Sequence, residues 1–228
     1  MNKQNNLRLN NKSYLKNRLC LNHNKIIDVS MDLNEKTVVW KNDKQPRLEA
    51  VARMPAAQCN FTWLSFGSHA GTHIDAPYYL FSDKWTSEQI PFERIIGWCQ
   101  VLDMTRVKDI ITAKDLKEHK IRQKIILLKT KNSYDKMEKY NPRHISLDKA
   151  AAEHLISQGV TTLGYDYQSF ERNGEIEIHK VFLGKSITLI DNLRLKDTEE
   201  KQYFLICLPI KITGIDGAPA RVILLEED

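Results

Sequence analysis

The sequence predicts a mixed α/β (α+β) protein with a mixed sheet or barrel-like β core and flanking helices. Three observations lead there. Strand-like runs rich in Ile, Val, Leu and aromatic residues recur along most of the chain. Helical segments are too few to separate every pair of strands, which argues against a doubly wound parallel sheet. The chain has 228 residues, 42% of them hydrophobic and 28% charged, enough to bury one substantial core. No apolar stretch approaches the length needed to cross a bilayer, so no membrane partner is expected.

Residues 1–26 are rich in Asn and Lys and are expected to form a disordered tail, with a single domain at 27–228. A targeting segment is the alternative reading: the tail lacks acids, as transit peptides do, but favours Asn over Arg and Ser. Lys3, Arg8, Lys12, Lys16, Arg18 and Lys25 are its charges. Beyond residue 27 the chain holds 28 basic and 29 acidic residues, so the overall charge of +5 belongs to the tail. A neutral body gives no reason to expect a nucleic-acid partner.

The strand-like runs fall at residues 26–29, 63–66, 101–104, 125–129, 160–165, 187–190, 203–212 and 221–225, several too short and continuous for helices. Two segments read as helices. At 112–119, Thr112 precedes Asp115 by three residues, the spacing of a capping box. At 146–158, Ser146 is the expected cap, Asp148 lies in the first turn, Ala150, Ala151, Leu155 and Ile156 line one side, and Gly159 stops the helix. Cys20, Cys59, Cys99 and Cys207 form no C-x-x-C pair. With no apolar signal core at the N-terminus, reduced thiols in the cytoplasm are the simplest expectation.

Chemistry concentrates in Ser68-His69-Ala70-Gly71-Thr72-His73-Ile74-Asp75-Ala76-Pro77-Tyr78-Tyr79, where two imidazoles and a carboxylate fall within seven residues. That donor set suits Zn²⁺ or Mn²⁺. The segment is a poor helix: Gly71, the β-branched Thr72 and Ile74, and Pro77 all disfavour one, and Ala70 stands where a helical H-E-x-x-H motif needs its Glu. In an extended chain, alternation puts His73 and Asp75 on one side, and Gly71 permits the bend that returns His69 to them. Three ligands with open positions describe a catalytic site rather than a closed structural one. The competing reading is two histidines satisfied by backbone beside an Asp-Ala-Pro turn.

The sequence resembles the cyclase family, which includes bacterial kynurenine formamidases (arylformamidases) and isatin hydrolases. The family pattern H-x-G-T-H-x-D-x-P-x-H is met at every position but the last, where Tyr79 stands for His. Asp28-Val29-Ser30 looks like the family's opening Asp-x-Ser. Trp40 falls where members carry Trp-Pro-Gly-Asp, although this chain reads Trp40-Lys41-Asn42-Asp43. Leu163-Gly164-Tyr165-Asp166-Tyr167-Gln168-Ser169 and the closing Ile215-Asp216-Gly217-Ala218-Pro219-Ala220-Arg221 match in order. In the formamidases a further His and Glu, twelve residues apart, complete a two-metal site; His179 and Asp191 have that separation here, and Asp191-Asn192-Leu193 resembles Glu-Asn-Leu.

The resemblance implies His69, His73 and Asp75 on one divalent ion and His179 on a second, with Asp75 and Asp191 bridging. Asp in place of Glu is one methylene shorter, so one or two ions, Zn or Mn, remain open. It implies a swivelling β/β/α-type fold, a homodimer or homotetramer, and hydrolysis of a small, aromatic amide or lactam by metal-activated water. N-formylkynurenine, an intermediate of tryptophan catabolism, and isatin are the type substrates, with Trp40 stacking on the aromatic ring. In relatives the missing His shuttles protons. Tyr79 would act as an acid or oxyanion donor, or Asp191 or His144 would carry the proton, or the chain would hold metal without turnover.

Overall fold

A computed structural model describes residues 25–226. The strands are β1 (Lys25–Asp28), β2 (Arg47–Ala52), β3 (Phe61–Ser65), β4 (His73–Asp75), β5 (Ile96–Asp103), β6 (Ile110–Ile111), β7 (Ile125–Lys129), β8 (Ser146–Leu147), β9 (Thr162–Tyr165), β10 (Thr188–Asp191), β11 (Gln202–Pro209) and β12 (Gly217–Glu226). The α-helices are α1 (Ala113–Lys117), α2 (Lys149–Ser157) and α3 (Glu177–Gly184). The tail expectation lies outside the described residues, except that Lys25 and Ile26 already belong to β1.

Seven strands close a mixed barrel in the order β12-β11-β5-β7-β9-β10-β4, sealed by pairing of β4 with β12. β4 closes it by pairing with β10 on one edge and with Gly217, Ala218 and Pro219 of β12 on the other, while Ile223 to Glu226 of β12 pair with β1 outside the ring. The pairings β5–β7, β7–β9 and β9–β10 are parallel. Parallel neighbours need a crossover, and α1, α2 and α3 supply these in turn.

Strand alternation divides the apolar residues into two cores. Ile74, Val101, Ile125, Leu127, Ile190, Leu205 and Val222 fill the barrel. Leu102, Ile126, Leu128, Leu163 and Leu189 point outward, where Leu116, Ala151, Leu155, Phe182 and Leu183 of the helices cover them. Each such Leu, Ile, Val or Phe side chain contributes roughly 1.5–3 kcal/mol by leaving water. The consequence for function is directional. With Ile74 and Ile190 inside, His73, Asp75 and Asp191 must face outward, towards α3.

The expected barrel-like core is present, with differences at its edges. The capping box at Thr112 forms, with Asp115 N–H donating to the Thr112 hydroxyl. The second helix is capped by Asp148, which accepts from Ala151 N at 2.7 Å. Ser146, the expected cap, instead pairs with Ile110 in the two-stranded β6–β8 sheet. Helix α3 was not expected, because a short Glu-Ile-His-Lys start reads as surface; it buries Ile178, His179, Phe182 and Leu183. A separate β2–β3 ribbon was only partly expected, from residues 63–66. Among the described residues Cys59, Cys99 and Cys207 are free thiols. No described helix is long and apolar enough to cross a membrane.

Candidate metal centre

The short strand β4 presents His73 and Asp75 on its outward face, and both side chains are buried. Across the ladder His73 is paired in register with Asp191 of β10, so the two side chains rise from the same spot on the sheet. Gly71, at φ +66°, turns the preceding loop back over β4 and brings in His69. Close approach on the other flank requires a second glycine. A Cβ on Gly217 would lie 2.6 Å from the Ile74 carbonyl oxygen and 2.9 Å from His69 Cε1. Asn192, in the left-handed region at φ 60°, pins the turn: its Nδ2 donates to Gly71 O at 2.9 Å, and its own carbonyl accepts from Thr72 Oγ1 at 2.7 Å.

The two oxygens of Asp75 face different partners. Oδ1 lies 2.7 Å from His69 Nδ1 and 3.2 Å from His73 Nε2. Oδ2 lies 3.9 Å from His179 Nε2, which is also 3.9 Å from Asp191 Oδ2. His73 Nδ1 is held by Gly71 O at 2.8 Å, which leaves Nε2 to face the carboxylate. His179 enters from α3 with Nδ1 against Glu171 Oε2 at 2.5 Å. His69 Nε2 contacts Asp216 Oδ2 at 2.7 Å.

Burial opposes charge on both outer imidazoles, yet the carboxylates prevail. His69 is raised to about 10 by Asp75 and Asp216, and His179 to about 10 by Asp191, Glu171 and Asp75. Burial also opposes ionisation of Asp75, but His69 and His73 hold it well below the usual carboxylate range. Asp191 moves the other way, raised by burial and by repulsion from Asp75 against the pull of His179. The cluster therefore draws positive charge, as protons or as a cation.

Two donor groups, His69–His73–Asp75 and Asp75–His179–Asp191, each bring their ligand atoms within 4.8 Å of one another and share Asp75. Their chemistry fits a divalent ion of borderline softness. Two further observations favour it. Asp191 Oδ1 is buried with no hydrogen-bond partner among the described residues. The 3.9 Å gaps around His179 Nε2 are too long for hydrogen bonds, yet a cation with ligand bonds of about 2 Å can bridge them.

The cluster lies in a cavity of about 550 Å³ that all seven sequence-derived site residues line: Trp40, His69, His73, Asp75, Tyr79, His179 and Asp191. Tyr79 occupies the 3-10 turn Pro77–Tyr79, its ring centroid 4.5 Å from that of His69. Burial, then the charges of Asp75 and Asp216, push its phenol up to about 12. Trp40 stands edge-on to Tyr140 at 5.6 Å.

His144 is not brought to this cavity. It is buried, stacks on Tyr167 at 4.2 Å and bonds Asn141 O through Nδ1, so a role as proton shuttle is discarded. The Asp28-Val29-Ser30 and Arg221 segments meet each other instead, through an Asp28–Arg221 ion pair that ties β1 to β12. Asp166 accepts from Thr130 and Ser133 and fixes a buried turn. Sequence reasoning gave no role to Asp216 or Glu171. Asp216 stood inside a quoted segment; Glu171 had no distinguishing signal, eight residues before its histidine.

The family described as putative cyclase matches residues 27–172. The chain belongs to this cyclase family. Kynurenine formamidase from Bacillus cytotoxicus is 26% identical over 201 residues, spanning 87% of this chain and 96% of that protein. A solved structure described as a potential metal-dependent hydrolase with cyclase activity is 33% identical, with TM-score 0.80, covering 90% of this chain and 98% of its own. Isatin hydrolase A from Ralstonia solanacearum shares the fold, with TM-score 0.78 over 89% of this chain and 92% of its own, at 20% identity.

Proposed function

We propose that residues 27–228 form a divalent-metal-dependent hydrolase that opens the C–N bond of a small aromatic amide or lactam, with N-formylkynurenine as the foremost candidate. The observation that carries this reading is Asp75, whose two oxygens face two separate His-containing donor sets on the wall of one cavity. His69 and His73 would hold one ion, His179 the other, with Asp75 and Asp191 between them. Zn²⁺ and Mn²⁺ both suit the donors. Bound there, the metal would lower the pKa of water and polarise the substrate carbonyl.

The chain's own groups do the rest. Trp40, propped against Tyr140, offers an aromatic face at the cavity wall. Tyr79 keeps its proton at neutral pH, because its pKa is pushed up to about 12. It therefore serves as a hydrogen-bond donor to developing negative charge rather than as a base. Hydrolysis forms a bond from water oxygen to the carbonyl carbon, breaks C–N and delivers a proton to the departing nitrogen. For N-formylkynurenine the products are formate and an aromatic amine.

The same phenol supports a second reading, a metal-holding family member without turnover, since a relative's histidine base is replaced by a group that stays protonated. Elemental analysis combined with assays on N-formylkynurenine, other aryl formamides and isatin separates the two. Metal plus turnover of an aryl formamide is expected. Metal without turnover of any of these, restored by Tyr79→His, establishes the second reading. A protein that takes up neither Zn²⁺ nor Mn²⁺ contradicts both.

A further inference from the structure

The carboxylate behind His179 is part of the same construction. Glu171 is buried, outside the cavity lining, and reaches His179 from the side opposite Asp75 and Asp191. Helix α3 has no side-chain cap of its own, since Ile176 occupies the N-cap position. Glu171 takes that place from the preceding loop: Oε1 accepts from Ile178 N, and Oε2 lies 3.5 Å from His179 N. Ser169 Oγ in turn accepts from Glu171 N at 3.1 Å, and the Phe170 ring packs against the His179 ring at 5.5 Å. One carboxylate thus sets both the start of the helix and the rotation of the imidazole it carries.

The geometry points to Glu171 as the positioning residue that aims His179 at a cation held with Asp75 and Asp191, and so decides occupancy of the second metal position. This rests on the functional reading above. The physical reason is the tautomer. A carboxylate at Nδ1 accepts a hydrogen bond and keeps a proton on Nδ1, so it is the Nε2 proton, facing the other two carboxylates, that a cation displaces to gain the lone pair. Carboxylate–imidazole pairing also raises the basicity of the ligand, and losing such partners commonly weakens metal affinity about 10- to 100-fold. Glu171→Gln preserves an acceptor for Ile178 N but can place an amide N–H against Nδ1, which favours the proton on Nε2, where it blocks ligation.

The test is titration of metal-free protein with Zn²⁺ or Mn²⁺, followed by calorimetry, alongside thermal unfolding. Wild type is expected to bind two equivalents. E171Q should bind the first unchanged and the second about 10- to 100-fold more weakly, and E171D, which keeps the charge, should fall between. If E171Q does not fold, E171D carries the comparison. A lowered melting temperature with both affinities unchanged would mean that Glu171 only caps α3, and overturns the proposal. Equal weakening of both equivalents overturns it too. Wild type that binds no metal removes the functional reading itself, and the role of Glu171 with it.

Discussion

The two halves of the cluster share Asp75 but are built differently. The His69–His73 half lies on one strand and its lead-in turn, is partly open to solvent at His69, and has its donors already in hydrogen-bond contact. The His179–Asp191 half comes from a helix and a strand of the barrel, is buried, and keeps its donors 3.9 Å apart. The first half can lose a cation and close on itself through hydrogen bonds. The second has a buried Asp191 oxygen with no hydrogen-bond partner among the described residues. An unpaired buried polar group costs about 1–3 kcal/mol, more when charged, so the second half depends more heavily on a cation.

That contrast can be broken at several points. The largest effect is expected from His73→Ala, which removes a ligand of the first half. Several kcal/mol of transition-state stabilisation disappear, on the order of a thousandfold in kcat/KM, together with one equivalent of metal by elemental analysis. Tyr79→His exchanges the phenolic donor at the cavity wall for an imidazole. If Tyr79 donates to developing negative charge, turnover should fall about 10²-fold; a rise in rate would instead favour the reading in which the chain holds metal without turnover. Asp216→Asn removes the partner of His69 Nε2 and should weaken only the first equivalent, about 10- to 100-fold by calorimetry. The smallest effect on the centre is expected from Leu155→Ala, under α2. It should lower stability by about 2–5 kcal/mol in denaturant unfolding and leave metal affinity unchanged.

The same contrast explains what could be read from the sequence. The first half was legible because β4 carries its ligands in period two, with Gly71 supplying the bend; local chemistry alone predicts their convergence. The second half depends on cross-strand register, His73 opposite Asp191, and on which face of α3 packs inward. Neither is written locally, and His179 beside Lys180 looks like surface until the helix is docked. The resemblance located both residues, but not Glu171 or Asp216, whose roles follow only from three-dimensional contact. The barrel was legible as a class from many strands and few helices. Its closure was not, because it depends on the three-residue β4 pairing with both β10 and β12.

Asp75→Asn tests the shared carboxylate most directly. Metal content and stepwise affinity of that variant should be measured beside Asp191→Asn, with thermal unfolding to confirm that each folds. If one carboxylate serves both halves, the Asp75 variant loses both equivalents of Zn²⁺ or Mn²⁺, whereas the Asp191 variant loses the second alone. Retention of one tightly held ion in folded Asp75→Asn protein would contradict the account.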